Sequence, residues 1–103
     1  MTESELLNEN YAGYFRTLAQ QNGLDLSIEA YGDGPFDDLT YAGRANEPMA
    51  EFWAWPFGNE VIGAAATCTE MSSAAHVYGK PILAAEAFTS TDREKWQSHP
   101  ASI

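Results

Sequence analysis

The stretch that decides the fold is His76 to Ser90, HVYGKPILAAEAFTS. Val77 and Tyr78 close an alanine-rich helical run, Gly79 supplies the left-handed residue at which such helices stop, and Pro81 starts a new direction. Ile82, Leu83, Ala84 and Ala85 then form an unbroken apolar run, the pattern of a parallel strand covered on both faces. Glu86 interrupts it. A carboxylate at the C-terminal end of a buried strand stands where α/β enzymes gather their chemistry, because the loops there converge on a crevice or a barrel mouth. A Glu salt-bridged to a neighbouring strand fits the same pattern, so the position is a candidate for catalysis and for structure alike.

Upstream of this stretch, Asn59 is placed to cap a helix from about Glu60 to Tyr78, with Val61, Ala64, Ala65, Cys68, Met71, Ala75 and Tyr78 on its buried side. Its alanines predict close packing on a sheet. Before it lies MAEFWAWPFG, in which Met49 to Trp53 reads as a short strand carrying Glu51. Phe52, Trp53, Trp55 and Phe57 are core candidates one by one. Pro56 and Gly58 put the last of them in a loop, where the flat faces of Trp53 and Trp55 also suit the mixed surface of a sugar. Residues 32–48, GDGPFDDLTYAGRANEP, lack a sustained period and predict a long loop whose Asp33, Asp37 and Asp38 form turns. Their spacing is not that of a calcium loop.

Leu24, Leu26, Ile28 and Ala30 alternate with Asp25, Ser27, Glu29 and Tyr31, the period of a strand with one apolar and one polar face. Glu29 therefore points away from the apolar side, on the face also expected for the site. Residues 3–22 predict an amphipathic helix with Thr2 and Glu5 at capping-box spacing, Leu7, Tyr11, Tyr14, Phe15 and Leu18 on its apolar side, and Asn22-Gly23 as its stop. Beyond Ser90, Thr91 with Glu94 and then His99-Pro100 announce further helix starts.

The order is helix, strand, loop with short strand, helix, strand and the start of a helix: an α/β alternation with parallel strands. Three strands cannot close a barrel, and a complete (β/α)8 barrel takes about 250 residues, so the 103 residues read as an incomplete TIM-barrel segment of about three strands. Such a segment leaves sheet edges open to self-association. Fifteen acidic against five basic residues give a formal charge of −10, which argues against nucleic acid and anionic membranes as partners. Cys68 is the one cysteine, so no internal disulfide forms, and with only His76 and His99 beside it no structural zinc spacing exists. No apolar run approaches the roughly 18 residues of a membrane span, and the polar N-terminus is unlike a signal peptide, which leaves the compartment open.

Four strings in this order, LSIEAYGDGPFDDLTYAG, EPMAEFW, AAHVYGKPILAAEAFTS and WQSHPASI, resemble the catalytic barrel of glycoside hydrolase family 106, the α-L-rhamnosidases. The resemblance spans nearly all the chain from Gly23 onward. It implies hydrolysis of terminal α-linked L-rhamnose in a glycan, with inversion at the anomeric carbon and a calcium ion at the sugar. Carried over, the resemblance implies that Glu86 of AEAFT is the general base and that Glu51 of EFW and Glu29 of SIEAY line the site as ligands of calcium or of sugar hydroxyls, Glu51 being the metal candidate and Glu29 the substrate candidate. The family's general acid is expected ahead of the first helix, outside these residues, so the segment alone is expected to be inactive. Full-length relatives are expected to be exported. Ala50 stands where the family string has Gly. Two other readings remain: a retaining glycosidase that pairs Glu51 with Glu86 at about 5–5.5 Å, and a small carbohydrate-binding or interaction protein that has lost hydrolysis.

Overall fold

The computed structural model spans residues 1–103 and describes 1–32, 34–53 and 61–89, without the side chains of Trp53 and residues 61–66. It begins with a helix in three joined parts: α1 (Glu3–Leu6), a π-helical turn (Leu7–Ala12) and α2 (Gly13–Gln21). Thr2 and Glu5 cap it reciprocally, as their spacing predicts. Strand β1 (Ser27–Glu29), the short helix α3 (Asp38–Ala42), β2 (Glu47–Trp53), α4 (Val61–Val77) and β3 (Ala84–Thr89) follow. The strands form one parallel sheet in the order β1-β2-β3. This is an α/β unit in which each parallel pair is joined through a helix.

Register fixes the two faces of the sheet. Ile28 pairs with Pro48, Ala50 with Ala85 and Phe52 with Ala87. The Ile28, Pro48 and Ala50 side carries the core, where Ala12, Ala30, Tyr41, Ala42, Ala50, Met71 and Ala74 cluster. So many alanines let α4 lie close on β2, and Met71, fully buried, fills the space between them. Gly79 at φ 62° ends α4 as expected, with the Lys80 N–H bonded back to the Ala75 carbonyl at 2.8 Å, a closure that strains any residue with a Cβ.

Several expectations need correction, and one is simple: Tyr78, placed on the buried side of α4 by its spacing, is exposed just beyond the helix end. The stretch 32–48 is not all loop: Asp37 accepts from the Thr40 N–H at 2.8 Å and starts α3, a turn too short to show a period. Strand β1 is shorter than the alternation of residues 24–30, because β2 offers it no partner before Glu47, and Leu24 is exposed. Strand β3 starts two residues after Ile82 and runs past Glu86 to Thr89, so Glu86 is its third residue and not its end. Ile82 and Leu83 are exposed, as are Ala85 and Ala87; the double burial predicted for this run is not found among the described residues, in which β3 is an edge strand. The first helix differs likewise. Its π turn directs Asn8 and Ala12 inward, and Tyr11, Tyr14, Phe15 and Leu18 remain exposed. The helix starts expected at Thr91 and His99, the Asn59 cap and Trp55 lie outside the described residues.

Candidate functional site

On the sheet face opposite the core stand Ser27, Glu29, Met49, Glu51 and Glu86. Glu51 and Glu86 are register partners on neighbouring parallel strands, so their Cα atoms lie about one strand spacing, roughly 4.8 Å, apart. Glu29 is the last residue of β1, beside Met49 and one dipeptide step before the Glu51–Glu86 pair. The strand patterns thus bring together all three glutamates singled out in the sequence.

Tyr31 completes the group. It follows β1 on the polar side of the alternation and packs its ring against the edge of the core, while its hydroxyl donates to Glu51 Oε2 at 3.0 Å. Burial first, then the hydrogen bond to Glu51 and the three neighbouring carboxylates, push the phenol well above its ordinary value, so Tyr31 is a neutral donor. Glu51 is half-buried, and its main chain is held from the helix side: the Thr67 hydroxyl donates to the Glu51 carbonyl at 2.6 Å and accepts from its N–H at 3.4 Å. The Cys68 thiol reaches the same carbonyl at 3.9 Å.

Glu29 is exposed, yet its carboxyl is raised above the ordinary value. Loss of water among crowded side chains is the largest cause, followed by the charge of Glu86, a hydrogen bond to Glu86 and the charge of Glu51. A hydrogen bond with Tyr31 works the other way. Glu86 is exposed and accepts a hydrogen bond from the Thr89 hydroxyl, to Oε1 at 2.8 Å.

Trp53 ends β2 level with Thr89, but its side chain lies outside the described residues, as does the whole of Trp55; their proposed sugar contacts have no geometry here. Tyr31, Thr67 and Thr89 were not among the predicted site residues. Tyr31 was within reach, because the alternation places it on the face of Glu29. The other two were not: Thr67 acts from a helix, and Thr89 sits at a position where strict alternation points away from Glu86.

Carboxylates set side by side on one open face of a parallel sheet, with neutral hydroxyls donating to them, supply the kinds of group that acid–base chemistry draws on. The model of glycoside hydrolase family 106, described as alpha-L-rhamnosidase, matches residues 1–103, and the chain belongs to that family. A relative from Formosa agariphila, named "Putative beta-glucuronidase", is 36% identical over 104 residues, covering 99% of this chain and 8% of the relative. The chain thus spans under a tenth of that protein's length. No solved structure matches it.

Proposed function

We propose that these residues form the part of a family 106 catalytic (β/α)8 barrel that carries the general base for hydrolysis of a terminal α-L-rhamnoside, and that the base is Glu86. The observation that carries this reading is the pairing of Glu86 with Glu51 on the open face, with Glu29 and Tyr31 beside them. In an inverting reaction one carboxyl protonates the leaving oxygen, while a carboxylate on the other side takes a proton from the attacking water; the two stand about 6.5–9.5 Å apart. Glu86 is exposed to such a water, and the Thr89 hydroxyl donates to it.

Glu51 and Glu86 rise side by side from adjacent strands, so they approach a bound sugar from one side. That arrangement favours a base with an auxiliary carboxylate over a retaining pair, whose members flank the scissile bond. The acid then comes from another part of the barrel, on a strand that the family resemblance sets ahead of the first helix. Glu51, steadied by Tyr31 and Thr67, serves hydroxyl binding, and Glu29 lies at the rim.

Calcium belongs to the same reading as a partner of Glu51. Carboxylate oxygens suit that hard cation, but among the described residues no three acidic, His or Cys side chains converge as a metal site. Its remaining ligands would come from elsewhere in the barrel, and no step above depends on it.

The name of the Formosa relative raises a uronic acid as a second substrate class. Three gathered carboxylates disfavour it, because the sugar's own carboxylate would enter a field of like charge, whereas rhamnose is neutral. In a full-length family member bearing this segment, Glu86→Gln is expected to lower turnover of an aryl α-L-rhamnoside by about 10²–10⁴ while rhamnose still binds. Turnover surviving within about tenfold, a barrier change of roughly 1.4 kcal/mol, would remove Glu86 from the role of base. Faster release from an aryl β-glucuronide than from the rhamnoside would overturn the sugar assignment.

A further inference from the structure

A side-chain hydrogen bond between residues three apart cannot form in a regular strand, because alternation sends them to opposite faces. Glu86 and Thr89 nevertheless share one within β3, at 2.8 Å. The register explains it. Phe52 pairs with Ala87 but Trp53 pairs with Thr89, so Phe88 is an extra residue on β3 and the strand carries a bulge there. Phe88 takes φ 62°, the sole non-glycine residue among those described with positive φ, and its ring meets Phe52 edge-on with centroids 4.9 Å apart. Phe52 is on the face of Ala50, away from the glutamates. The bulge has therefore exchanged two faces: the aromatic ring, which alternation would set beside Glu86, lies on the far side, and the hydroxyl of Thr89 takes its place.

From this geometry we infer that Thr89 is a positioning residue for Glu86, and that the bulge at Phe88 exists in this strand to bring the Thr89 hydroxyl onto the carboxylate. The inference rests on the reading of Glu86 as the base. With Oε1 bonded to Thr89, the carboxylate is steadied while its exposure keeps it open to the water. A bulky residue in the left-handed region is unfavourable by itself, and such conformations persist where the surroundings over-determine them. The Phe52 contact supplies that support.

The test compares T89V, which keeps the shape and removes the hydroxyl, with T89S, which restores it, and with E86Q, all in the full-length enzyme bearing this segment. T89V is expected to lower kcat about tenfold to a hundredfold with KM changed by less than about threefold, and T89S to recover most of the loss, as an interaction felt mainly in the transition state requires. In an E86Q background T89V should cause no further loss. If E86Q abolishes turnover while T89V leaves kcat unchanged, or if T89S is as impaired as T89V, the positioning role is wrong and the base assignment stands. If E86Q stays active, the base reading has failed; the contact is then read by crystallography alone. A Glu86 carboxylate that holds its place in T89V overturns the inference whatever turnover does, and one that swings away supports it.

Discussion

Glu29 shows how charge crowding writes a pH dependence into this face. Its carboxyl is raised by loss of water first, then by Glu86 and Glu51, so the folded chain holds that proton more tightly than the unfolded chain does. Stability from this group is least above the folded value, rises as pH falls through it, and is complete below about the unfolded value of 4.5. Asp38 and Glu70, which face each other across α3 and α4, are raised for the same reasons and share the sign. Glu29→Gln removes the charge at every pH. In the full-length enzyme its thermal midpoint should exceed wild type at neutral pH, with the gap closing toward pH 4.5. A gap that is constant with pH, or one that widens on acidification, would contradict the crowding described for Glu29.

Among the elements, α3 depends most on one side chain. Asp37 accepts from the N–H of Thr40 at 2.8 Å and from its hydroxyl at 2.5 Å, and these bonds hold its carboxyl below the ordinary value. Its contribution is present above about 3.8 and fades as pH falls through the lowered folded value, the opposite sign to Glu29. Removing such a cap costs about 1 kcal/mol, within a range of roughly 0.5–2. Asp37→Ala should thus lower amide protection of Tyr41 and Gly43, whose N–H groups close this helix, by about fivefold, and Asp37→Asn by much less. Equal loss in both variants would mean that charge, not the hydrogen bond, sustains α3. The loop expected here was half right: Asp37 does form a turn, but a five-residue helix follows it, and one turn is below the length at which apolar period separates helix from loop. The π turn in the first helix has a similar standing. Asn8 is buried there and accepts from Arg44 Nε at 3.0 Å, while Arg44 also pairs with Glu9; periodicity counts residues at regular helical pitch and does not register a widened turn.

For the whole molecule, the exposed apolar side chains lead to the largest prediction. Tyr14, Leu24, Val77 and Ile82 are 61%, 63%, 71% and 57% exposed, and covering such surface is worth about 25 cal/mol per Å². In the barrel reading, other strands and helices cover it. As an isolated polypeptide the 103 residues should therefore self-associate in sedimentation and melt without a sharp cooperative transition. A monodisperse monomer with a cooperative melt would count against the barrel-segment reading. The sequence alone was enough for the α/β order, the parallel strands, the α4 boundary at Gly79 and the common face of Glu29 with the expected site, because each depends on period, on a backbone need for glycine or on a family string. The tertiary structure decided how far β1 extends, where β3 begins and ends, that Tyr31 and Thr67 hold Glu51, and that Thr89 reaches Glu86. Those features depend on which residue of a neighbouring element stands opposite. Pairing sets strand ends, and a single extra residue in β3 reverses the faces that local alternation predicts.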